Sequence, residues 1–324
     1  MPWSPSRREF LATASAAAAA AVLPMELAAK SPFRISVIND EIDPDDFGRV
    51  LEIITKDFGL HWVEIRGMWK KNVLKLDDKE VEEARKLLAK YKVRVTDIAS
   101  PLFKVDWPGA PKSKLRESRD TFGDDSAFKQ QDQVLERSCE LAKRFGTDRV
   151  RCFDFWRLDD QKPYRDAIDA KLRDAAEKAA KKKIILVLEN EMACNTGSGE
   201  ELARTLKAVP NKNFMGNWDP GNAAMLGEKP YPDGYSKLPI KRIGHCHCKD
   251  IQHKAGVDPA KQEWAPMGGG TIDWAGQFRA LKRDGYHYAV SLETHWRGAG
   301  TPEASTRESW AGMKKLLEQA GALA

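Results

Sequence analysis

Glu189, Asp219, His247 and Glu293 each close a short apolar run: IILVLE (184–189), NFMGNWD (213–219), RIGHCH (242–247) and HYAVSLE (287–293). The intervals between them are 30, 28 and 46 residues. A strand with its crossover helix takes roughly 30 residues or more, so the spacing predicts consecutive strands of one parallel barrel. The C-terminal ends of such strands converge on a single mouth. Two glutamates, an aspartate and a histidine gathered there make an oxygen-rich site for a divalent metal. Hard oxygen donors with one imidazole make Mn2+ the first expectation, with Mg2+, Co2+ and Zn2+ as alternatives. Four protein ligands leave two octahedral positions for a carbonyl and a neighbouring hydroxyl of a sugar. A cation placed there polarises the carbonyl and acidifies the C–H beside it. It also stabilises the enediolate left when that proton departs. The chemistry is an enzyme's.

Such a constellation needs a frame that aims every strand end at one point. Apolar runs at Phe33–Ile38, Trp62–Ile65, Val93–Ile98 and Arg149–Phe153 precede the four above, which makes eight strands. Helical patterns fall between them at Asp45–Phe58, Lys79–Tyr91, Phe128–Phe145, Tyr164–Lys182, Glu200–Ala208, Trp274–Arg283 and Pro302–Ala320. This alternation predicts an α/β fold, the (β/α)8 TIM barrel. A doubly wound sheet would carry a Gly-rich turn after its first strand, and Asn39-Asp40-Glu41-Ile42 is not one. Pro101–Asp125 and Asp250–Gly270 are expected as long loops over the mouth, where loops commonly carry function.

Other strand ends add candidates. Glu64 and Arg66 close strand two, and Arg151 and Asp154 close strand four. Arg66 and Arg151 either hold substrate oxygens or belong to a buried ion-pair network. Trp107, Trp156, Tyr231 and Trp296 are placed in mouth loops, where aromatic faces suit sugar C–H surfaces; Trp107 and Trp296 are taken as substrate contacts. His245 is assigned to a layer below His247. Cys246 and Cys248 flank His247, so strand alternation turns them away from the interior and argues against a thiolate metal site. The five cysteines show no disulfide framework.

The first 29 residues differ from the rest. Ser6-Arg7-Arg8-Glu9-Phe10-Leu11 precedes an Ala-rich stretch ending near Pro24. This resembles a twin-arginine export signal cleaved after Ala28-Ala29. The expectation is a periplasmic or exported protein that meets the twin-arginine translocase, with residues 30–324 forming one barrel domain. The stretch is too short and too weakly apolar to span a bilayer stably. The net charge of +5 comes without a clustered basic face, so nucleic acid is not an expected partner. Dimerisation is left open.

Several motifs follow the strands in order: Leu188-Glu189-Asn190, Trp218-Asp219-Pro220-Gly221-Asn222, His245-Cys246-His247-Cys248-Lys249-Asp250, Met267-Gly268-Gly269-Gly270-Thr271-Ile272-Asp273-Trp274 and Ser291-Leu292-Glu293. In this order the mature chain resembles the xylose isomerase-like barrel superfamily of sugar isomerases and epimerases, relatives of endonuclease IV. The resemblance implies that Glu189, Asp219, His247 and Glu293 bind one metal. It implies that Glu189 and Glu293 shuttle the proton from opposite faces of the substrate, and that Lys249 reaches its hydroxyls. Asn222 is placed in the substrate site; ketose epimerases of the group usually carry His there. Six histidines in the whole chain do not supply a trinuclear zinc nuclease. The expected activity is therefore isomerisation or epimerisation of a small sugar or keto-sugar. A 3-keto-glycoside lyase or keto-sugar dehydratase using the same site is the alternative. A non-catalytic periplasmic sugar-binding protein is the alternative of another class.

Overall fold

Eight short strands, rich in aliphatic residues, line up in parallel, and helices cover their outer faces. The computed structural model describes residues 31–111, 127–254, 256–258 and 261–324. The expected export signal and most of the Pro101–Asp125 loop lie outside the described residues.

The strands are β1 (Arg34–Val37), β2 (Trp62–Ile65), β3 (Arg94–Leu102), β4 (Arg149–Cys152), β5 (Ile185–Glu189), β6 (Phe214–Trp218), β7 (Ile243–Cys248) and β8 (Ala289–Leu292). They hydrogen-bond in the order β1-β8-β7-β6-β5-β4-β3-β2. A parallel bridge between Ile38 and Glu64 joins the first two strands and brings the ring round. This is the predicted (β/α)8 barrel. Strand β3 runs further than its apolar pattern suggested, through Pro101 to Leu102, with a register irregularity against β4 between Ile98 and Leu102.

Around the ring lie α1 (Phe47–Glu52), α2 (Asp78–Tyr91), α3 (Gln131–Phe145), α4 (Arg165–Lys181), α5 (Gly199–Ala208), α6 (Pro220–Met225), α7 (Trp274–Arg283) and α8 (Pro302–Gln319). Their ends follow local chemistry. Asp77 with Glu80 and Ser198 with Glu201 form reciprocal capping boxes at the starts of α2 and α5, each satisfying two otherwise orphaned N–H groups. Gly146 ends α3 with φ 74°, a left-handed position open to glycine without steric cost. The sequence reading found no helix after strand six. The six-residue α6 is there, capped by Asp219 with Pro220 at its start, and is too short to show an apolar period.

Alternation along the strands sorts side chains between two environments. In β7, Cys246 and Cys248 point outward into the apolar layer beneath the helices. In β6, Trp218 is fully buried on the outside and donates its indole N–H to Gln277 of α7 at 2.9 Å. The opposite faces carry Asn217, His245 and His247, which with Glu64, Asp97, Arg149 and Arg151 are all buried. Buried polar groups are costly unless partnered, so this interior must be organised as a network.

Candidate metal centre

The network centres on Glu64. Its Oε2 lies 3.0 Å from His245 Nε2 and its Oε1 lies 3.0 Å from His247 Nε2. A carboxylate accepting from Nε2–H leaves the lone pair of His247 on Nδ1. That nitrogen has no hydrogen-bond partner. It faces Glu293 Oε2 at 3.2 Å, Glu189 Oε1 at 3.4 Å and Asp219 Oδ2 at 3.6 Å. The four ligand atoms lie within 4.8 Å of one another and all four residues are buried. Each strand end therefore delivers its side chain to the shared point that the spacing implied.

The flanking motif residues hold this arrangement. Asn190 clamps the Asp219 backbone, accepting from its N–H at 2.8 Å and donating to its carbonyl at 2.8 Å. Asp219 divides its oxygens: Oδ1 accepts the Asn222 N–H at 2.9 Å as the cap of α6, and Oδ2 turns to the site. Asp250 accepts the N–H groups of Gly268 and Gly270 at 3.0 and 3.1 Å. A Cβ at Gly270 would fall 2.2 Å from Asp250 Oδ1, which is why the loop carries glycine there.

Glu189 and Glu293 each have an arginine behind them. Arg151 Nη1 lies 3.1 Å from Glu189 Oε2, and its other donors meet the carbonyls of Ala99 and Ser100. Arg66 Nη1 lies 3.2 Å from Glu293 Oε1, while its Nε meets Asp40 and its Nη2 meets Glu41. Burial alone would raise the Glu189 carboxyl, but His247 and Arg151 outweigh it and bring it to about 2. Burial likewise opposes ionisation of Glu293, and Lys249 and His247 hold it well below the usual carboxylate range. Burial would lower the His247 imidazole, yet Glu64, Glu189 and Glu293 raise it well above its ordinary value. The surroundings thus demand a positive charge at Nδ1. An unpartnered imidazole nitrogen among three carboxylates, with no thiolate facing it, fits a hard divalent cation.

Above the centre opens a cavity. Arg66, Arg151, Glu189, Asn222 and Glu293 line it. Lys249 reaches the same centre from β7, with its Nζ 2.7 Å from Glu293 Oε2. The aromatic assignments need correction. Trp107 packs edge-on against Phe155 and Phe128, at 4.8 and 5.3 Å between ring centroids, and does not line the cavity. Trp296 is also outside it, under Gly298, whose backbone folds close over the indole. Tyr231 sits against Gly276 of α7 on the outer layer. The lining aromatics are Trp156 and Trp264. Lys104, Glu191 and His295 join them and were not singled out from the sequence. Glu191 and His295 stand two residues beyond Glu189 and Glu293, the only local signal they carry. Asp154 turns away: it accepts from Thr196 N and Thr196 Oγ1 at 2.8 and 2.7 Å and pairs with Arg165 at 2.8 Å.

The family model described as xylose isomerase-like TIM barrel matches residues 54–316. SgbU of Escherichia coli (strain K12), named provisionally as an L-ribulose-5-phosphate 3-epimerase, is 23% identical over 191 residues, 58% of this chain and 66% of that protein. AsbF from Bacillus anthracis, assigned provisionally as a 3-DHS dehydratase of petrobactin synthesis, superposes with a TM-score of 0.65 at 19% identity, over 87% of this chain and 98% of that one. A xylose isomerase-like TIM barrel protein from Mycobacterium smegmatis in complex with magnesium gives 0.63 at 18% identity, over 91% and 98%.

Proposed function

Because this chain belongs to the xylose isomerase-like TIM barrel family, we propose that it is a divalent-metal-dependent sugar isomerase or epimerase. The observation that carries the reading is the convergence of Glu189, Asp219, His247 and Glu293 on one point, with both glutamates also lining the cavity. Glu189, Asp219 and Glu293 would hold the metal through oxygen and His247 through Nδ1. When bound, the metal would polarise a substrate carbonyl and lower the pKa of the adjacent C–H. Relatives support the chemistry: one is named for sugar epimerisation and one solved structure holds magnesium. Mn2+ remains our first choice of ion.

The chain's own groups do the rest. One of Glu189 and Glu293, as a carboxylate, would take the proton from its face of the substrate and the other, carrying a proton, would return one to the opposite face; each is kept in place by an arginine. Proton transfer by such positioned groups contributes about 10²–10⁴-fold to rate. Asn222 donates to Glu189 Oε1 at 3.2 Å and presents no titratable group of its own to the substrate. Trp156 and Trp264 offer flat faces to sugar C–H bonds. The arginine-pair leader adds a proposed place of action outside the cytoplasm.

A second reading, a keto-sugar dehydratase or 3-keto-glycoside lyase, draws on an asymmetry between the two glutamates. Glu293 contacts Arg66, Lys249 and His295, whereas Glu189 is met by Arg151 and Asn222. A lyase needs one free base to remove the α-proton before a group leaves the β carbon. AsbF's name shows a dehydration assigned within the same fold.

Proton NMR in D2O decides between them, with the Mg2+-loaded protein and a panel of free ketoses and 3-keto-glycosides. Deuterium next to the carbonyl in an intact skeleton is expected for the first reading. Deuterium entry with loss of water or aglycone supports the second. Sugar binding with no exchange on any member of the panel counts against both.

A further inference from the structure

Lys249 is 2% exposed and reaches into the metal centre from β7. Its Nζ lies 2.7 Å from Glu293 Oε2, 2.9 Å from Asp219 Oδ2 and 4.0 Å from Glu189 Oε1. These are the same three oxygen atoms that face His247 Nδ1. Ammonium and imidazole therefore bracket one point from two sides. A hard divalent cation binds oxygen at roughly 2.0–2.6 Å, so an ion held by these atoms would sit against Nζ. Two cations in contact inside a buried site repel strongly.

We infer that Lys249 is a built-in competitor of the metal: its ammonium takes the ligand oxygens and leaves them when the ion is bound. A lysine suits this task, being a compact point charge on a flexible four-carbon stem. The surroundings make room for the movement. A Cβ at Gly221 would fall 2.6 Å from Lys249 Cγ, so glycine there clears the stem. On the cavity side the Trp264 ring lies 5.3 Å from Nζ, a distance at which an aromatic face attracts a cation. The displaced ammonium would then stand at the cavity wall, within reach of a substrate hydroxyl. The lysine thus compensates the clustered acids, keeps the oxygens gathered, and sets a threshold for metal occupancy. This rests on the metal reading of the site, and not on the sugar chemistry.

The test uses the full chain stripped by chelator, as wild type and as Lys249→Met. Mg2+ and Mn2+ are titrated separately by calorimetry. The variant should bind each ion at least about tenfold more tightly, and its stripped form should melt below stripped wild type. Equal or weaker affinity overturns the inference. If stripped Lys249→Met does not fold, wild type labelled with 15N-lysine is titrated with Mg2+, the Lys249 signal being assigned with Lys249→Arg. That signal should move in step with Mg2+ binding; a signal that stays in place while Mg2+ binds overturns displacement. If wild type binds neither ion, the metal centre itself falls and this inference with it. The D2O exchange panel identifies failure of the sugar reading separately.

Discussion

Glu189 ends β5 and Asp154 follows β4, so two buried carboxylates stand on adjacent strands, yet their neighbourhoods are built on opposite principles. Around Asp154 each acid has its donor. Thr196 supplies two hydrogen bonds, Arg165 bridges Asp154 to Asp169, and Asp169 receives Arg204 at 3.0 Å. Around Glu189 three carboxylates crowd together and the imidazole nitrogen between them has no hydrogen bond. The first cluster closes on itself and ties strand to helix. The second shares one ammonium, Lys249 Nζ, at 2.7 Å from Glu293 and 2.9 Å from Asp219, and leaves His247 Nδ1 without a hydrogen bond. Burial and charge alone do not separate a structural network from a site; the unmet demand for a ligand does.

The largest expected effects test that division directly. Glu293→Gln should cut deuterium exchange at the substrate by about 10²–10⁴-fold, the range for a general acid–base group, measured by NMR on the metal-loaded protein. Arg165→Met should do the reverse. It leaves Asp154 buried without its cation and should lower stability by ~3–5 kcal/mol in urea unfolding, while the folded fraction keeps its exchange rate. A harmless Arg165→Met would dissolve the contrast.

Glu64 refines it. The carboxylate does not line the cavity above the centre, yet it leaves His247 with its lone pair on Nδ1. Glu64→Gln should weaken metal binding about 10–100-fold, as loss of a ligand's hydrogen-bond partner does, read by calorimetry. The smallest effect is a pH dependence with opposite signs. Glu189 is pulled from 4.5 to about 2 in the fold, so its contribution is complete above pH 4.5 and is lost as pH falls toward 2. For Asp154, burial outweighs Arg165 and Thr196 and raises the carboxyl above 3.8. Its contribution is present below that value and is lost as pH rises. Urea midpoints between pH 2 and 6 should rise less steeply below pH 4.5 in Glu189→Gln and more steeply above pH 3.8 in Asp154→Asn.

Much of the site was legible because a strand repeats every two residues and barrel strand ends share one face. Those rules alone placed Glu189, Asp219, His247 and Glu293 together, set His245 below His247 and turned Cys246 and Cys248 outward. They did not reach α6, whose six residues hold less than two turns and announce themselves only through the Asp219-Pro220 start. Nor could they sort the aromatics. Trp107 and Trp156 are both loop residues, and only the position of Phe155 and Phe128 shows that Trp107 is packing while Trp156 lines the cavity. Lys104, Glu191 and His295 escaped for the same reason: loop side chains obey no period.

What this chain determined by sequence is its frame and the meeting of Glu189, Asp219, His247 and Glu293 at one point, since strand alternation and β–α spacing are local properties that the barrel repeats. What tertiary structure alone decided is which charges are satisfied. Arg66, Arg151, Asp154 and Lys249 look alike as strand-end residues, yet Asp154 is closed off by Arg165 and Thr196 while Lys249 is driven onto the oxygens a metal would use. Those outcomes depend on distances between strands far apart in the chain, and electrostatic demand is set by distance and burial together.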